Sequence, residues 1–104
     1  MMSYTLKLTP KALDDLLAIK SYIMKDGESI ANGQVQEILS NIQNLEKFPS
    51  LGKALQNRVR TKTDMRYLDI KDLYYAFYRI NEQTVEIIRI LSTKQDYIQA
   101  LNLK

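Results

Sequence analysis

Residues 73–80 read Leu-Tyr-Tyr-Ala-Phe-Tyr-Arg-Ile, and residues 84–91 read Thr-Val-Glu-Ile-Ile-Arg-Ile-Leu. Both stretches are rich in aromatic and β-branched residues, which favour strands. The connection Asn81-Glu82-Gln83 is short enough for a hairpin. A strand with one face in water alternates apolar with polar residues, whereas both faces of these two stretches are apolar. We therefore predict a strand pair inside a sheet, with helices on one face and other material on the second.

Outside the hairpin, hydrophobic spacing predicts the remaining elements. A first strand is predicted over residues 3–8, and Thr9-Pro10 then reads as a helix N-cap followed by proline at the first helical position. That helix should end near Asp26-Gly27. The other predicted elements are a helix from Glu28 to Phe48, a strand over residues 65–70 and a short terminal helix that packs through Tyr97, Ile98 and Leu101.

These elements predict one α+β domain over residues 1–104 with the order β-α-α-β-β-β(-α). We expect an antiparallel, four-stranded sheet with the N-terminal helical hairpin packed on one face. On the first helix, the expected buried stripe consists of Leu13, Leu16, Leu17, Tyr22 and Ile23.

The side-chain period of two assigns residues to the two faces of the sheet. The residues expected under the helices are Leu68, Ile70, Tyr74, Ala76, Tyr78, Ile80, Ile88 and Ile90. Those expected on the opposite face are Tyr67, Asp69, Tyr75, Phe77, Arg79, Ile87, Arg89 and Leu91. Two interpretations of this second face remain open: the terminal segment and the 56–64 loop fold over it, or another molecule docks there.

If another molecule docks there, aromatic and arginine side chains are the favoured anchors. The candidate partner-binding residues are Tyr67, Tyr75, Phe77, Arg79 and Leu91. For Arg79 we expect an ion pair with Glu82 or Glu86 across the hairpin. Asp15 is expected to support the start of its helix.

The amino-acid composition excludes several kinds of active site. The 104 residues include no cysteine and no histidine, which excludes thiol or histidine nucleophiles and the usual zinc ligands. We expect no metal, no cofactor and no membrane span, and we expect a cytoplasmic protein. The net charge is +3, and residues 51–104 hold ten Lys and Arg against six Asp and Glu. This half predicts an acidic or polyanionic partner, unless its charges simply face water.

Several segments, taken together in order and spacing, resemble the RelE/ParE superfamily of bacterial toxins. They are Thr9-Pro10-x-Ala12-x-x-Asp15-Leu16-x-x-Ile19-x-x-Tyr22-Ile23, Leu45-x-x-Phe48-Pro49-x-x-Gly52-x-x-Leu55, Arg66-x-Leu68, Tyr74-x-x-x-Tyr78-Arg79-Ile80, and Ile88-Arg89-Ile90-Leu91 followed by Gln95-Asp96-Tyr97. The resemblance covers nearly the whole chain. It implies the toxin of a type II toxin–antitoxin, or plasmid stabilisation, module that arrests growth. It also implies a cognate antitoxin that neutralises the toxin and provides the contact with operator DNA.

The resemblance implies two alternative targets. RelE-like members cut mRNA on the ribosome without a metal, and the candidate catalytic residues would then be Arg66, Arg89, Lys94 and Tyr97. ParE-like members inhibit DNA gyrase without cleavage chemistry. RelE-like nucleases usually have arginine where this chain has Tyr75, so the sequence favours the ParE-like branch. A non-toxic, antitoxin-binding relative is a third interpretation, and enzymatic activity stays open.

Overall fold

The computed structural model describes residues 3–103 of the chain. Within that range, one sheet of five strands has the order β1-β5-β4-β3-β2. Its strands are β1 (Thr5–Leu8), β2 (Lys53–Ala54), β3 (Arg66–Ile70), β4 (Tyr74–Asn81) and β5 (Thr84–Ser92). The helices are α1 (Pro10–Met24), α2 (Glu28–Gln43) and the short α3 (Tyr97–Ala100), with single 3₁₀ turns at Asn44–Glu46, Pro49–Leu51 and Leu55–Asn57. The predicted α+β class is confirmed, and the predicted helices and strands follow one another in the predicted order.

The sheet differs from the prediction in two respects. β1 runs parallel to β5, with Thr5 beside Thr84 and Leu8 beside Ile87, so the sheet is mixed instead of antiparallel. The additional strand β2 pairs antiparallel with β3, although its two residues are too short to produce a periodic pattern in the sequence.

The predicted hairpin is present as β4 and β5, joined through Glu82, whose φ of 55° lies in the left-handed region. The pairing shifts by one residue: Phe77 lies opposite Arg89, whereas Tyr78 lies opposite Ile87. Ile88 is the extra residue of this β-bulge. The bulge exchanges the predicted faces of two residues, so that Ile87 packs under the helices and Ile88 packs on the opposite side.

The helical hairpin begins where the sequence predicts. The Thr9 hydroxyl accepts a hydrogen bond from the Ala12 N–H, and Pro10 occupies the first turn of α1. Gly27, with a φ of 125°, separates the two helices. The predicted stripe on α1 is wrong in part: Leu13, Leu17 and Tyr22 are exposed.

The buried positions of α1 are Ala12, Leu16 and Ile23. They lie on the face of the helix next to the one that carries Leu13 and Leu17. Ala12 and Leu16 form the helix-side core together with Ile38, Ile42 and Leu45. That core rests on the sheet residues Leu68, Ile70, Ala76, Tyr78, Val85, Ile87 and Ile90. Apart from the exchange of Ile87 and Ile88, the sheet residues predicted to face the helices do so.

Candidate functional site

The second face of the sheet is closed by the chain itself. Tyr67, Phe77 and Leu91 are buried there. The residues that cover them come from the 55–65 loop and the C-terminal segment: Leu55, Val59, Met65, Tyr97, Ala100, Leu101 and Leu103. The hypothesis of an unfilled docking face is therefore wrong, and the alternative in which the loop and terminal segment fold over it is the one observed. The short C-terminal segment supplies apolar side chains where a partner had been expected.

Tyr75 and Arg79, the two other predicted partner-binding residues, lie half-buried at the rim of this face. The Tyr75 ring makes edge-on contacts with the rings of Tyr67, Phe77 and Tyr97. Arg79 Nε donates to Asp64 Oδ1 at 2.7 Å, so the expected pairing with Glu82 or Glu86 is wrong. This hydrogen bond lowers the pKa of the Asp64 carboxyl.

Arg66 is held by the loop that precedes β2. Its Nη2 donates to the Gly52 carbonyl at 2.6 Å and to the Ser50 carbonyl at 3.2 Å. Beside it, the Tyr78 hydroxyl donates to the Pro49 carbonyl at 2.7 Å and accepts from the Gly52 N–H at 2.9 Å. These bonds fasten the loop to β3 and β4. The Arg66 guanidinium therefore has a structural role here, whereas RelE-like cleavage would require it to bind phosphate.

Arg89 of β5 forms an ion pair with Asp15 of α1. Its Nε and Nη2 donate to the two carboxylate oxygens of Asp15 at 2.7 and 2.8 Å, and its Nη1 donates to the Ala100 carbonyl at 3.2 Å. Asp15 Oδ2 also accepts the Ile90 N–H at 3.0 Å, just beyond the end of β1. The hydrogen bonds that Arg89 donates to the Asp15 carboxylate raise the pKa of the Arg89 guanidinium. Asp15 thus joins α1 to β5, and Arg89 joins β5 to α3. The expectation that Asp15 supports the start of its helix is wrong, because α1 has no acidic residue in its first turn.

The two remaining catalytic candidates also lie apart. Tyr97 packs in the aromatic cluster of the second face, with its ring 5.3 Å from that of Phe77. Lys94 is exposed and follows β5. The four predicted side chains therefore contact different parts of the molecule: the β2 loop, Asp15, the second-face cluster and solvent.

Lys94 lines a surface cleft that the sequence did not predict. The cleft has a volume of about 630 Å³ and lies between the helical hairpin and the turns that flank the ends of β4 and β5. Its lining residues are Asp15, Ala18, Ile19, Tyr22, Gln34, Asp72, Leu73, Tyr74, Ile90, Ser92, Thr93, Lys94 and Gln95. This volume lies within the range of ligand sites, although a cleft can equally hold side chains of a protein partner.

Two large apolar side chains stand at this cleft: Tyr22 is 68% exposed and Leu73 is 49% exposed. Burial raises the pKa of the nearby Tyr74 hydroxyl, which therefore stays protonated and able to donate a hydrogen bond at neutral pH. Periodicity assigned Tyr22 to the buried stripe of its helix. Tyr22 is a surface residue because of the way α1 is rotated about its own axis where it packs on the sheet.

A model of the ParE toxin of type II toxin–antitoxin systems, parDE, matches residues 6–97. The chain belongs to the ParE toxin family. No curated protein matches the sequence. Between residues 3 and 103, no helix combines the length and apolarity needed to cross a bilayer.

The solved structures that are similar to this ParE-family chain include two from toxin–antitoxin systems. One is a chain of the chromosomal ParDE toxin–antitoxin system of P. aeruginosa, with 26% identity and a TM-score of 0.75 over 88% of this chain and 98% of that one. The other belongs to the RelBE2 toxin–antitoxin complex of Mycobacterium tuberculosis, with 22% identity and a TM-score of 0.64 over 88% and 93% of the two chains. The second likeness shows the fold alone.

Proposed function

We propose that this chain is the toxin of a toxin–antitoxin module, that it arrests growth in the cytoplasm by inhibiting DNA gyrase, and that a cognate antitoxin neutralises it. The observation that carries the proposal is the match of the ParE toxin model to residues 6–97. The similar P. aeruginosa chain comes from a ParDE system and is covered over nearly its full length.

The hydrogen bonds of the two arginines support gyrase inhibition over RNA cleavage. A phosphate in a cleavage transition state needs several convergent donors, and loss of one typically costs about 10²–10³ in rate. Arg66 is bonded to loop carbonyls, and Arg89 is bonded to Asp15. Recruiting either guanidinium to RNA would break contacts that hold the fold together.

We further propose that the cleft beside Tyr22 and Leu73 contacts the target protein. Both side chains are exposed, and large apolar side chains at a concave surface are typical anchors of protein interfaces. Lys94 adds a cation to this surface that takes part in no ion pair among residues 3–103.

The test is a gyrase supercoiling assay with purified protein. The native chain should inhibit supercoiling, and the double variant Tyr22→Ser/Leu73→Ser should need about tenfold more protein or greater for the same inhibition, as expected for interface anchors. The matched control is Leu13→Ser/Ile98→Ser, which changes two exposed apolar residues that do not line the cleft. Normal supercoiling at saturating native protein would refute gyrase as the target.

The neutralising partner is tested separately, in cells. Induction of the chain alone should stop growth and produce filaments, and co-expression of the small protein encoded beside it should restore growth. If induction leaves growth unimpaired while the two proteins still co-purify, the non-toxic, antitoxin-binding interpretation replaces the toxin.

The alternative is a ribosome-dependent mRNA endonuclease, and one observation favours it. Arg58 is exposed, its Nη1 donates to the Tyr75 hydroxyl at 3.4 Å, and Tyr97 packs beside Tyr75. This places a cation next to two phenolic groups, one of which was a catalytic candidate. Primer extension on translated mRNA distinguishes the alternatives, because codon-positioned cuts that disappear with Tyr97→Phe and Lys94→Ala would establish the nuclease.

A further inference from the structure

The segment from residue 47 to residue 62 carries positive charge without any carboxylate. Its cations are Lys47, Lys53, Arg58, Arg60 and Lys62, and the nearest carboxylates along the chain are Glu46 and Asp64. Each of the five is exposed. We call this set the cationic edge, because the segment includes β2, the last strand on one side of the sheet.

The charge of the cationic edge is not neutralised within the described residues. Across residues 3–103, the ion pairs join Lys71 to Glu37, Arg79 to Asp64 and Arg89 to Asp15, and none uses a residue of this edge. Asp64, the closest acidic side chain that follows, is already occupied by Arg79. Among residues 3–103, a partner that brings carboxylates therefore meets cations that no carboxylate already pairs with.

Strand pairing, a cation–π contact and hydrogen bonds hold the 47–62 segment in place. Lys53 pairs in register with Tyr67, and the Arg58 guanidinium lies 4.8 Å from the centroid of that same ring. The Gln56 side chain donates to the carbonyls of Val59 and Thr61 and accepts the Thr63 N–H at 2.8 Å. The loop is thus tied back on itself, so a partner meets an arranged set of charges.

Two large apolar side chains on the same segment decide the kind of partner. Phe48 is 63% exposed and Leu51 is 52% exposed. A nucleic acid backbone would use the cations but would leave an aliphatic side chain such as Leu51 without a counterpart. An acidic polypeptide with apolar side chains complements both the charges and the apolar pair.

We propose that the cationic edge, with Phe48 and Leu51, is a docking surface for an acidic protein segment that also carries large apolar side chains. The carboxylates lie against Lys53, Arg60 and Lys62, and the apolar side chains pack on Phe48 and Leu51. This inference concerns direct binding and goes beyond the proposed function, which assigns a surface to the target alone, and it holds whether or not gyrase is that target.

The first experiment selects the partner chemistry without assuming a sequence. A library of random peptides is displayed and panned against the purified full-length protein. The enriched peptides should carry more Asp and Glu than Lys and Arg and should include Leu or aromatic residues. Enrichment of neutral or basic peptides, or no enrichment, would overturn the proposal.

The second experiment locates the site by fluorescence anisotropy with the enriched peptide. The variants Lys53→Gln/Arg60→Gln/Lys62→Gln and Phe48→Ser/Leu51→Ser should each weaken binding by roughly tenfold or more, and added salt should weaken binding to the native chain. The matched control is Lys7→Gln/Lys11→Gln/Lys25→Gln, which removes the same charge from exposed positions elsewhere and should leave binding unchanged.

The outcomes separate the alternatives. Equal losses in the cationic-edge variant and in its control would mean that only net charge matters, and this would overturn the site. Tighter binding of a single-stranded RNA or a DNA duplex than of any acidic peptide would instead assign the surface to nucleic acid. Neither result depends on whether supercoiling is inhibited, so failure here is distinguishable from failure of the proposed function.

Discussion

Gly52 shows how a single residue controls the loop before β2. A Cβ atom at this position would lie 2.5 Å from the Tyr67 carbonyl oxygen and 2.7 Å from the Tyr78 hydroxyl oxygen. The backbone φ of −77° is ordinary, so the requirement is for space and not for an unusual conformation. The glycine in the family-like spacing Phe48-Pro49-x-x-Gly52 therefore has a packing reason.

We predict that Gly52→Ala lowers the free energy of unfolding by about 1–3 kcal/mol, because a β-strand carbonyl and a buried hydroxyl must move. Gly33→Ala is the matched control: its Cβ would meet nothing within 4 Å, and it lies inside α2. That change should stabilise the protein by about 0.5–1 kcal/mol through helix propensity. Urea titration measures both, and equal effects of the two substitutions would contradict the steric explanation.

The Asp15–Arg89 pair is a second contact that individual residues control. The two side chains are only 13% and 17% exposed, and Asp15 also accepts the Ile90 N–H. Asp15→Asn should lower the free energy of unfolding by about 3 kcal/mol, near the lower end for buried pairs because some solvent access remains.

Lys71→Met provides the comparison for this pair. It removes an exposed ion pair, in which Lys71 lies 3.3 Å from Glu37, and should lower the free energy of unfolding by less than about 1 kcal/mol. Thermal unfolding of both variants checks the difference. A loss in Asp15→Asn as small as that in Lys71→Met would show that the edge of β5 does not depend on the carboxylate.

At the scale of elements, the C-terminal segment closes the second face of the sheet. Leu103 is 8% exposed and packs with Phe77 and Leu91, whereas Ile98, on the same segment, is 39% exposed. The segment is held in place by the Arg89 bond to the Ala100 carbonyl and by the bond from the Leu103 N–H to the Ile98 carbonyl at 2.8 Å. The segment is thus held both by buried apolar contacts and by hydrogen bonds.

We predict that Leu103→Ser costs about 2 kcal/mol or more and increases binding of a hydrophobic dye, because it uncovers part of the second-face core. Ile98→Ser should cost less than about 0.5 kcal/mol, as for most surface substitutions. Unfolding curves and dye fluorescence measure both. Identical behaviour of the two variants would mean that the segment does not act as a cover.

The elements also show what the sequence could and could not predict. Strong local signals located the helical hairpin: Thr9-Pro10 at its start and Gly27 between its helices. The β-bulge at Phe77 and Tyr78 was not visible, because a period-two pattern that is apolar on both faces contains no mark of a skipped residue. Hence Ile87 and Ile88 were assigned to the wrong faces.

The candidate site was harder to predict than the fold, since its residues are chosen by packing across distant segments. Nothing local in the sequence distinguishes Leu13 or Tyr22, which are exposed, from Leu16 or Ile23, which are buried on the same helix. The pairing of Asp15 with Arg89 joins residues 74 positions apart. Such contacts depend on the final arrangement of the helices and the sheet.

At the scale of the whole molecule, the sheet separates two cores, one beneath the helical hairpin and one beneath the C-terminal segment. Residues 51–104 carry a net charge of +4, which the first fifty residues reduce to +3 for the whole chain, and four of the five cations of the cationic edge lie in that second half. The cleft at Tyr22 and Leu73 does not include any residue of that edge. The two surfaces proposed for binding are therefore separate on the molecule.

The parallel pairing of β1 with β5 has a consequence for synthesis of the chain. Residues 5–8 find their strand neighbours only at residues 84–87. Contacts of such wide sequence separation carry a large loop-closure cost and form slowly. A nascent chain that stops at residue 83 should consequently lack protection of the β1 amides in hydrogen exchange. β1 therefore joins the sheet only after residues 84–87 have been translated.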